Sequence, residues 1–129
     1  MAGSKSDYLE LALLNHVLRA TALASPAAVY VALYTVAPSD AGGGTEVSGG
    51  AYARQAATFA APAVGATSNS VAILFPVATA GWGTVTSFGI FDALSGGNLL
   101  YWGTLAVNQL VPLGEQVRFA VGELDVTED

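Results

Sequence analysis

Two runs rich in aromatic and β-branched residues, at positions 84–92 and 98–107, constrain the fold of this chain more than any other feature. A Ser-Gly-Gly-Asn sequence at 95–98 separates them, and this arrangement is typical of a β-hairpin. The stretch 81–105 also contains both tryptophans, and large aromatic side chains supply much of the burial energy of a small domain. We therefore expect the hydrophobic core to form around this hairpin.

A single helix is predicted, over residues 6–19. Asp7 is a candidate N-cap, Glu10 follows three residues later as in a capping box, and residues 9–18 contain no glycine or proline. Apolar residues nearly encircle the helical wheel, so we expect burial on more than one side, against the chain's own sheet and against a neighbouring subunit. These apolar residues are Leu9, Leu11, Ala12, Leu13, Leu14, Val17 and Leu18.

The remainder of the chain has the pattern of short strands separated by turns. Residues 29–34 alternate with period two and present two usable faces, whereas the glycine-rich segment 41–50 and the small-residue segment 61–69 are predicted loops. Further strands are predicted at 51–60, 70–75, 116–121 and 123–127. The predicted fold is mainly β, an antiparallel β-sandwich or barrel (jelly-roll-like) with one N-terminal α-helix. We expect one domain over 1–129, comprising an arm (1–5), the helix (6–19) and a β domain (28–127).

Composition excludes several functional classes. The 129 residues include no cysteine, which rules out disulfides, thiolate zinc sites and thiol nucleophiles. The four basic residues are scattered and the net charge is −6, so no basic stripe for nucleic acid can form. No signal peptide or membrane-length apolar run is evident, which predicts a protein made in a cytoplasm. Only 11% of the residues are charged, against about a quarter in an average domain, so we expect partner subunits to cover apolar surface.

Nothing in the sequence suggests catalysis, a metal or a cofactor. His16 is the only histidine, and one imidazole does not make a metal site. The glycine-rich segment lacks the Gly-Lys-Ser/Thr of a phosphate-binding loop, and the acidic C-terminal residues lack the ligand spacing of a calcium loop. One binding alternative stays open, a sugar-stacking platform. Its candidate residues are Tyr52, Trp82, Tyr101 and Trp102.

Blocks of sequence spread over nearly the whole chain form a distinctive set. They are SDYLELALLNHVLR at 6–19, SP at 25–26, VYVALYT at 29–35, GTEVSGG at 44–50, YARQ at 52–55, GTV at 83–85, FGIFD at 88–92, SGGNLLYWG at 95–103 and VTED at 126–129. Together they resemble a group of small tailed-bacteriophage virion proteins, which are often labelled tail-fibre-like. Similar small β proteins serve as head decoration or cement proteins. The resemblance implies a structural virion protein that is not an enzyme.

Between the two locations, the compact acidic chain favours a decoration or cement protein on the outer capsid surface, because negative charge repels packaged DNA from an inner position. The major capsid protein is then the expected partner, and the apolar helix predicts a homo-oligomer, a trimer. The alternative is a tail or fibre-associated virion protein, with receptor or carbohydrate binding. The arm 1–5 is expected to lie against a neighbouring subunit or the capsid protein. The interface candidates are Leu11, Leu14 and His16 on the helix and Thr45, Glu46 and Val47 in the glycine-rich segment.

Overall fold

A computed structural model of the protein describes residues 4–128. Over these residues the fold is mainly β, with antiparallel sheets and one helix near the N-terminus, as the sequence predicts, and no closed barrel forms. The elements are β1 (Ser4–Lys5), α1 (Asp7–Arg19), β2 (Val29–Val36), β3 (Thr45–Glu46), β4 (Gln55–Ala57), β5 (Ala66–Ser68), β6 (Ile73–Leu74), β7 (Gly83–Phe91), β8 (Leu99–Val111), β9 (Arg118–Phe119) and β10 (Asp125–Thr127).

The predicted hairpin is confirmed and forms the centre of the main sheet. Strands β7 and β8 pair antiparallel along their length, and Asp92 closes the turn by accepting hydrogen bonds from the backbone N–H and the side-chain amide of Asn98, at 2.7 and 3.0 Å. Between the Ser87–Thr104 pair and the Val85–Gln109 pair, β7 advances two residues and β8 five. The surplus makes a large bulge in β8, and bulges of this kind bend a strand and increase its twist.

Strand β2 completes the centre of the sheet by pairing with β7. The full order is β1-β8-β7-β2-β3, and β4 pairs with the first half of β2. The alternation predicted for this strand is confirmed, because Val31 and Leu33 enter one core while Ala32 and Tyr34 enter another on the opposite face.

The main core lies between this six-stranded sheet and two small two-stranded sheets, β5–β10 and β6–β9. Phe88 and Ile90 come from the hairpin, and Ile73, Phe119 and Val126 come from the small sheets, so the packing is that of two layers. Phe75 and Phe88 are almost completely buried, and each buried large side chain contributes roughly 1.5–3 kcal/mol of transfer free energy.

A smaller core covers the opposite face of the sheet. It contains Tyr34, Phe91 and Leu99, and Gly89 lies among them. A Cβ at Gly89 would lie 3.0 Å from both Leu99 Cδ1 and Tyr34 Cε1, which is tighter than ordinary van der Waals contact. A glycine in mid-strand is therefore required by close packing rather than by a turn.

Several sequence-based boundaries were wrong. The predicted loop 61–69 contains β5, which pairs with β10, and the predicted loop 41–50 contains β3, which pairs with β2. Conversely, the predicted strands at 51–60 and 70–75 shrink to β4 and β6. Whether a short segment forms a strand depends on a pairing partner that is distant in sequence, and a local pattern contains no information about that partner.

The N-terminal arm is also different from expectation over its described part. Ser4 and Lys5 form β1, which pairs with Trp102 and Tyr101 of the chain's own β8. The arm is therefore held in part by its own sheet, whereas the prediction placed it against a neighbour. Residues 1–3 of the predicted arm lie outside the described residues.

Candidate interaction surface

Helix α1 begins and ends with well-formed caps. Ser6 is the N-cap, because its backbone is extended and its hydroxyl accepts a hydrogen bond from Leu9 N at 3.2 Å. The sequence prediction of Asp7 as the cap was one residue late. The Ser6 hydroxyl also donates to the carbonyl of Leu99, which ties the start of the helix to β8. At the other end Ala20 is left-handed, with φ 56°, and its N–H donates to Asn15 O.

The two sides of α1 differ sharply in burial. Leu9 is buried, and Ala12 and Leu13 are half-buried on the side that faces the protein. Leu11, Leu14 and Leu18 are 63%, 55% and 74% exposed, and we call these three residues the outer stripe. Their three- and four-residue spacing places them along one line, opposite Leu9 on the helix.

The outer stripe is part of a wider apolar surface. Val17 is 71% exposed and Tyr8 is 43% exposed on the flanks of the same helix. A contiguous exposed apolar patch on a small protein marks a surface that binds something. Burying one fully exposed leucine side chain contributes about 1.5–3 kcal/mol, so covering the three leucines of the stripe would favour association by several kcal/mol before the entropic cost of association is subtracted. The predicted helix with apolar residues on all sides is thus present, and within the chain only one side is covered.

A groove of about 850 Å³ runs beside α1. Its other wall is the extended segment 21–26, and β8 forms part of its floor through Leu100 and Tyr101. Apolar side chains dominate the lining, including Leu11 of the outer stripe, so the groove and the stripe form one continuous surface.

The six predicted interface residues do not form one surface. Leu11 and Leu14 are exposed on α1, and His16 is exposed with its Nδ1 3.0 Å from Thr21 O. The other three lie on and next to β3, which ends the strand order on the side away from β8, the strand that α1 contacts. Val47 is only 5% exposed and Glu46 is engaged within the chain, which leaves Thr45 as the exposed member. An interface role for these residues stays a prediction.

No sequence pattern indicates the most elaborate polar cluster, which is centred on Arg54. Its guanidinium makes two hydrogen bonds of 2.9 Å to the carboxylate of Glu46 and donates to the carbonyls of Ala93 and Gly96 at 3.0 and 2.8 Å. It also lies 3.7 Å from the ring centroid of Phe91, within cation–π range. One side chain thus joins the glycine-rich segment to the hairpin turn.

Tyr52 extends this cluster into the core. Its hydroxyl donates to Glu46 at 2.7 Å and accepts from Leu33 N at 3.0 Å. Burial, and then the bond to Glu46, raises the pKa of Tyr52 well above its usual range. Partial burial disfavours the charged form of Glu46, but the hydrogen bonds from Arg54 and Tyr52 outweigh it and lower the pKa of Glu46. The cluster therefore keeps a charged pair inside the fold.

The four aromatic residues considered for sugar stacking do not form a platform. Trp82 is buried, and its Nε1 donates a 2.8 Å hydrogen bond to Gly50 O. The ring of Tyr52 packs edge-on against the ring of Trp82, with 5.5 Å between the ring centroids. Tyr101 and Trp102 are neighbours on one strand and so point to opposite faces of the sheet. The residues that were proposed to stack on a sugar are mainly core.

The carboxylate of Glu128, near the C-terminus, is engaged within the fold. Glu128 contacts Lys5 and accepts a 2.8 Å hydrogen bond from the Tyr101 hydroxyl, so both ends of the described chain meet on β8. Among residues 4–128 no three acidic or histidine side chains are grouped to hold a metal ion. Within the same range, no helix is long and apolar enough to cross a membrane.

Comparison with known families agrees with the resemblance noted from the sequence. Residues 4–127 match the family described as podophage GP4 fiber I protein gp80. A search of curated proteins gave no match. The match spans almost all of the chain, and it includes the capped helix, the central hairpin and the small sheets. The chain therefore belongs to the podophage GP4 fiber I protein gp80 family.

Proposed function

We propose that this protein is a structural subunit of the fibre apparatus of a podophage virion, and that it assembles through the outer stripe of α1. A structural role in a phage particle follows from the family, and the fibre location is our inference from the description of that family. The exposure of Leu11, Leu14 and Leu18 is the observation that carries the assembly role. Side chains of this kind contribute binding energy only where a partner removes them from water.

In this role the protein performs no reaction. It binds the assembled particle and stabilises that state by mass action, since it has little affinity for the dispersed components. With few charges on the chain, the driving force is mainly apolar burial, and assembly should therefore depend weakly on salt.

A second candidate is decoration of the outer head surface, with the major capsid protein as partner. The compact acidic chain without an internal repeat favours it, because a fibre shaft is usually built from repeats. In this role the protein would hold junctions between capsid subunits together.

Immunogold labelling of intact particles of the phage that encodes this chain distinguishes the two candidates. We expect label on the fibres, with the temperature at which the capsid bursts unchanged when the protein is missing. Label over the shell, together with earlier bursting, would instead establish the decoration role. If purified wild-type particles contain none of this protein, both candidate roles are refuted.

The assembly surface is tested by complementing phage that lack the gene. Leu14→Asp should prevent incorporation into particles, because an unpaired carboxylate would have to be buried in the contact. Val121→Asp is the matched control, since Val121 is 64% exposed and lies far along the chain from α1. Both variants should fold, because neither position is buried in the subunit. Equal incorporation of the two variants would exclude the outer stripe as the assembly surface.

A further inference from the structure

A short hairpin whose tip spans residues 60–67 contains a valine in an unfavourable backbone conformation. Ala63 and Ala66 exchange two backbone hydrogen bonds of 2.9 and 3.1 Å, so Val64 and Gly65 form a two-residue turn. Both turn residues have positive φ, 52° and 72°, which is the pattern of a type I′ turn. Asparagine or aspartate followed by glycine usually forms such a turn. A β-branched residue at positive φ is strained, because its Cβ crowds the following carbonyl.

The strain at Val64 is not compensated within the chain. Ala20 and Ala51 are the other non-glycine residues with positive φ among residues 4–128, and neither is branched at Cβ. The side chain of Val64 is fully exposed, so it gains no burial energy from the rest of the fold. Unfavourable backbone geometry that persists without a structural benefit indicates a functional position.

Hydrogen bonds hold this tip in place. The carbonyl of Gly65 accepts a 2.7 Å bond from Glu128 N, and Glu128 is itself held by the contacts described above. Within the tip, the Thr67 hydroxyl donates to Ala60 O at 2.6 Å. Val64 is therefore positioned before any partner arrives. A stiff side chain on an ordered turn loses little conformational entropy when it is bound.

The surface of the tip is uncharged and apolar. Residues 55–91 include no acidic or basic residue and no histidine. Alanine, proline and glycine surround Val64 in sequence, so its side chain is the largest in the tip, and residues 60–66 are all exposed. The tip thus presents one apolar projection, and a projection of this kind gains free energy when an apolar hollow removes it from water.

A hollow on a protein fits this projection better than a lipid membrane does. Membrane binding grows with the apolar area that is buried and with the attraction of basic residues to anionic lipids. The tip offers a single valine, it carries no basic residue, and the chain has a net charge of −6. One side chain of this size fills a small protein pocket, whereas it would anchor the chain only weakly in lipid.

We propose that Val64 is an anchor that inserts into an uncharged apolar pocket on another protein of the virion. The inference rests on the virion role proposed above and adds a second contact, since no residue of the tip lines the groove beside α1. Strain at Val64 destabilises the free subunit, and its side chain regains free energy only when a partner covers it. One substitution at this position should therefore change stability and assembly in opposite directions.

Val64→Asn tests this, because asparagine tolerates positive φ and lacks the apolar branch. We expect its Tm, measured by circular dichroism, to rise by about 3–5 °C as the strain is relieved. In phage that lack the gene, wild type and variant are supplied together at equal levels. The variant should be incorporated about tenfold less than wild type, as measured by mass spectrometry of purified particles.

Two further variants serve as controls. Val64→Ile keeps both the strain and the apolar surface, so it should match wild type in Tm and in incorporation. Val71→Asn replaces another exposed valine, one that is not among the residues with positive φ, and should change neither quantity.

The outcomes separate this inference from the proposed function. Equal incorporation of Val64→Asn and wild type would overturn the anchor, and an unchanged Tm would overturn the strain argument on which it rests. If wild type floats with vesicles of phosphatidylethanolamine and phosphatidylglycerol while Val64→Asn does not, the tip binds lipid and the protein pocket is refuted. In each case fibre labelling and the defect of Leu14→Asp could still be observed. Absence of label from the fibres would overturn the proposed function whatever the behaviour of Val64→Asn.

Discussion

Replacing Arg54 by methionine should destabilise the fold more than the replacement of any other basic residue among the described residues. The substitution keeps an unbranched apolar stem against Phe91, but it removes both hydrogen bonds to Glu46 and those to the carbonyls of Ala93 and Gly96. Glu46 would keep only its hydrogen bond from Tyr52. The glycine-rich segment and the hairpin turn would then lose the side chain that connects them.

The expected magnitude follows from burial. Breaking a fully buried ion pair costs about 3–5 kcal/mol, whereas an exposed pair contributes about 0–1 kcal/mol. The Arg54 side chain is 8% exposed and the Glu46 side chain 27%, so the pair lies between these limits and closer to the buried one. We expect a loss of about 2–4 kcal/mol in the free energy of unfolding, which corresponds to a decrease of roughly 10 °C in Tm for a protein of this size.

Urea denaturation followed by tryptophan fluorescence measures this loss, because Trp82 lies in the main core. Arg118→Met is the control, since Arg118 is exposed on β9 and its replacement should change the free energy of unfolding by less than about 0.5 kcal/mol. If the two variants unfolded at the same urea concentration with equal m-values, the cluster around Arg54 would contribute nothing measurable and the estimate from burial would be refuted.

Three further predictions follow from the same geometry. Partial burial disfavours the charged form of Glu46, but the hydrogen bonds from Arg54 and Tyr52 outweigh it and lower the pKa of Glu46 in the folded state. Ionised Glu46 therefore adds to the free energy of unfolding above the unfolded pKa of 4.5, and this stabilisation is lost as the pH falls below that value. Glu46→Gln should flatten this part of the curve of stability against pH, measured by urea denaturation. Burial, and then the charge of Glu46, raises the pKa of Tyr34 to about 12 from an unfolded value of 10.0. The free energy of unfolding should therefore decrease as the pH rises from 10 to 12, and Tyr34→Phe should reduce that decrease in thermal unfolding measured at alkaline pH. Gly97→Ala should lower the free energy of unfolding by about 1–3 kcal/mol more than Gly96→Ala. Both glycines have positive φ, but an added Cβ at 97 would lie 2.5 Å from Asp92 Oδ1, whereas at 96 nothing lies within 4 Å. Equal melting temperatures of the two glycine variants would contradict this.

The sequence by itself determined the elements whose signals are local. The hairpin was predicted because turn chemistry at 95–98 and alternation on both sides lie within one short stretch. Helix α1 was predicted within one residue, since a capping residue and an uninterrupted helical run are adjacent in sequence. The two faces of β2 followed from period two alone. The resemblance carried by the sequence blocks was likewise sufficient to indicate a tailed-phage virion protein, and the family match confirms it.

Only the tertiary structure decided which parts of the chain are free to bind. Val47 and Leu14 are both apolar residues that the sequence placed at an interface, yet Val47 is 5% exposed and Leu14 is 55% exposed. Their difference arises because β3 pairs with β2 and directs Val47 into the main core, whereas α1 lies across β8 with one side only. The Arg54 cluster has the same origin, since Glu46, Arg54 and Ala93 meet only when distant segments are packed. Contacts between residues far apart in sequence depend on the whole packed arrangement, and no local periodicity encodes them.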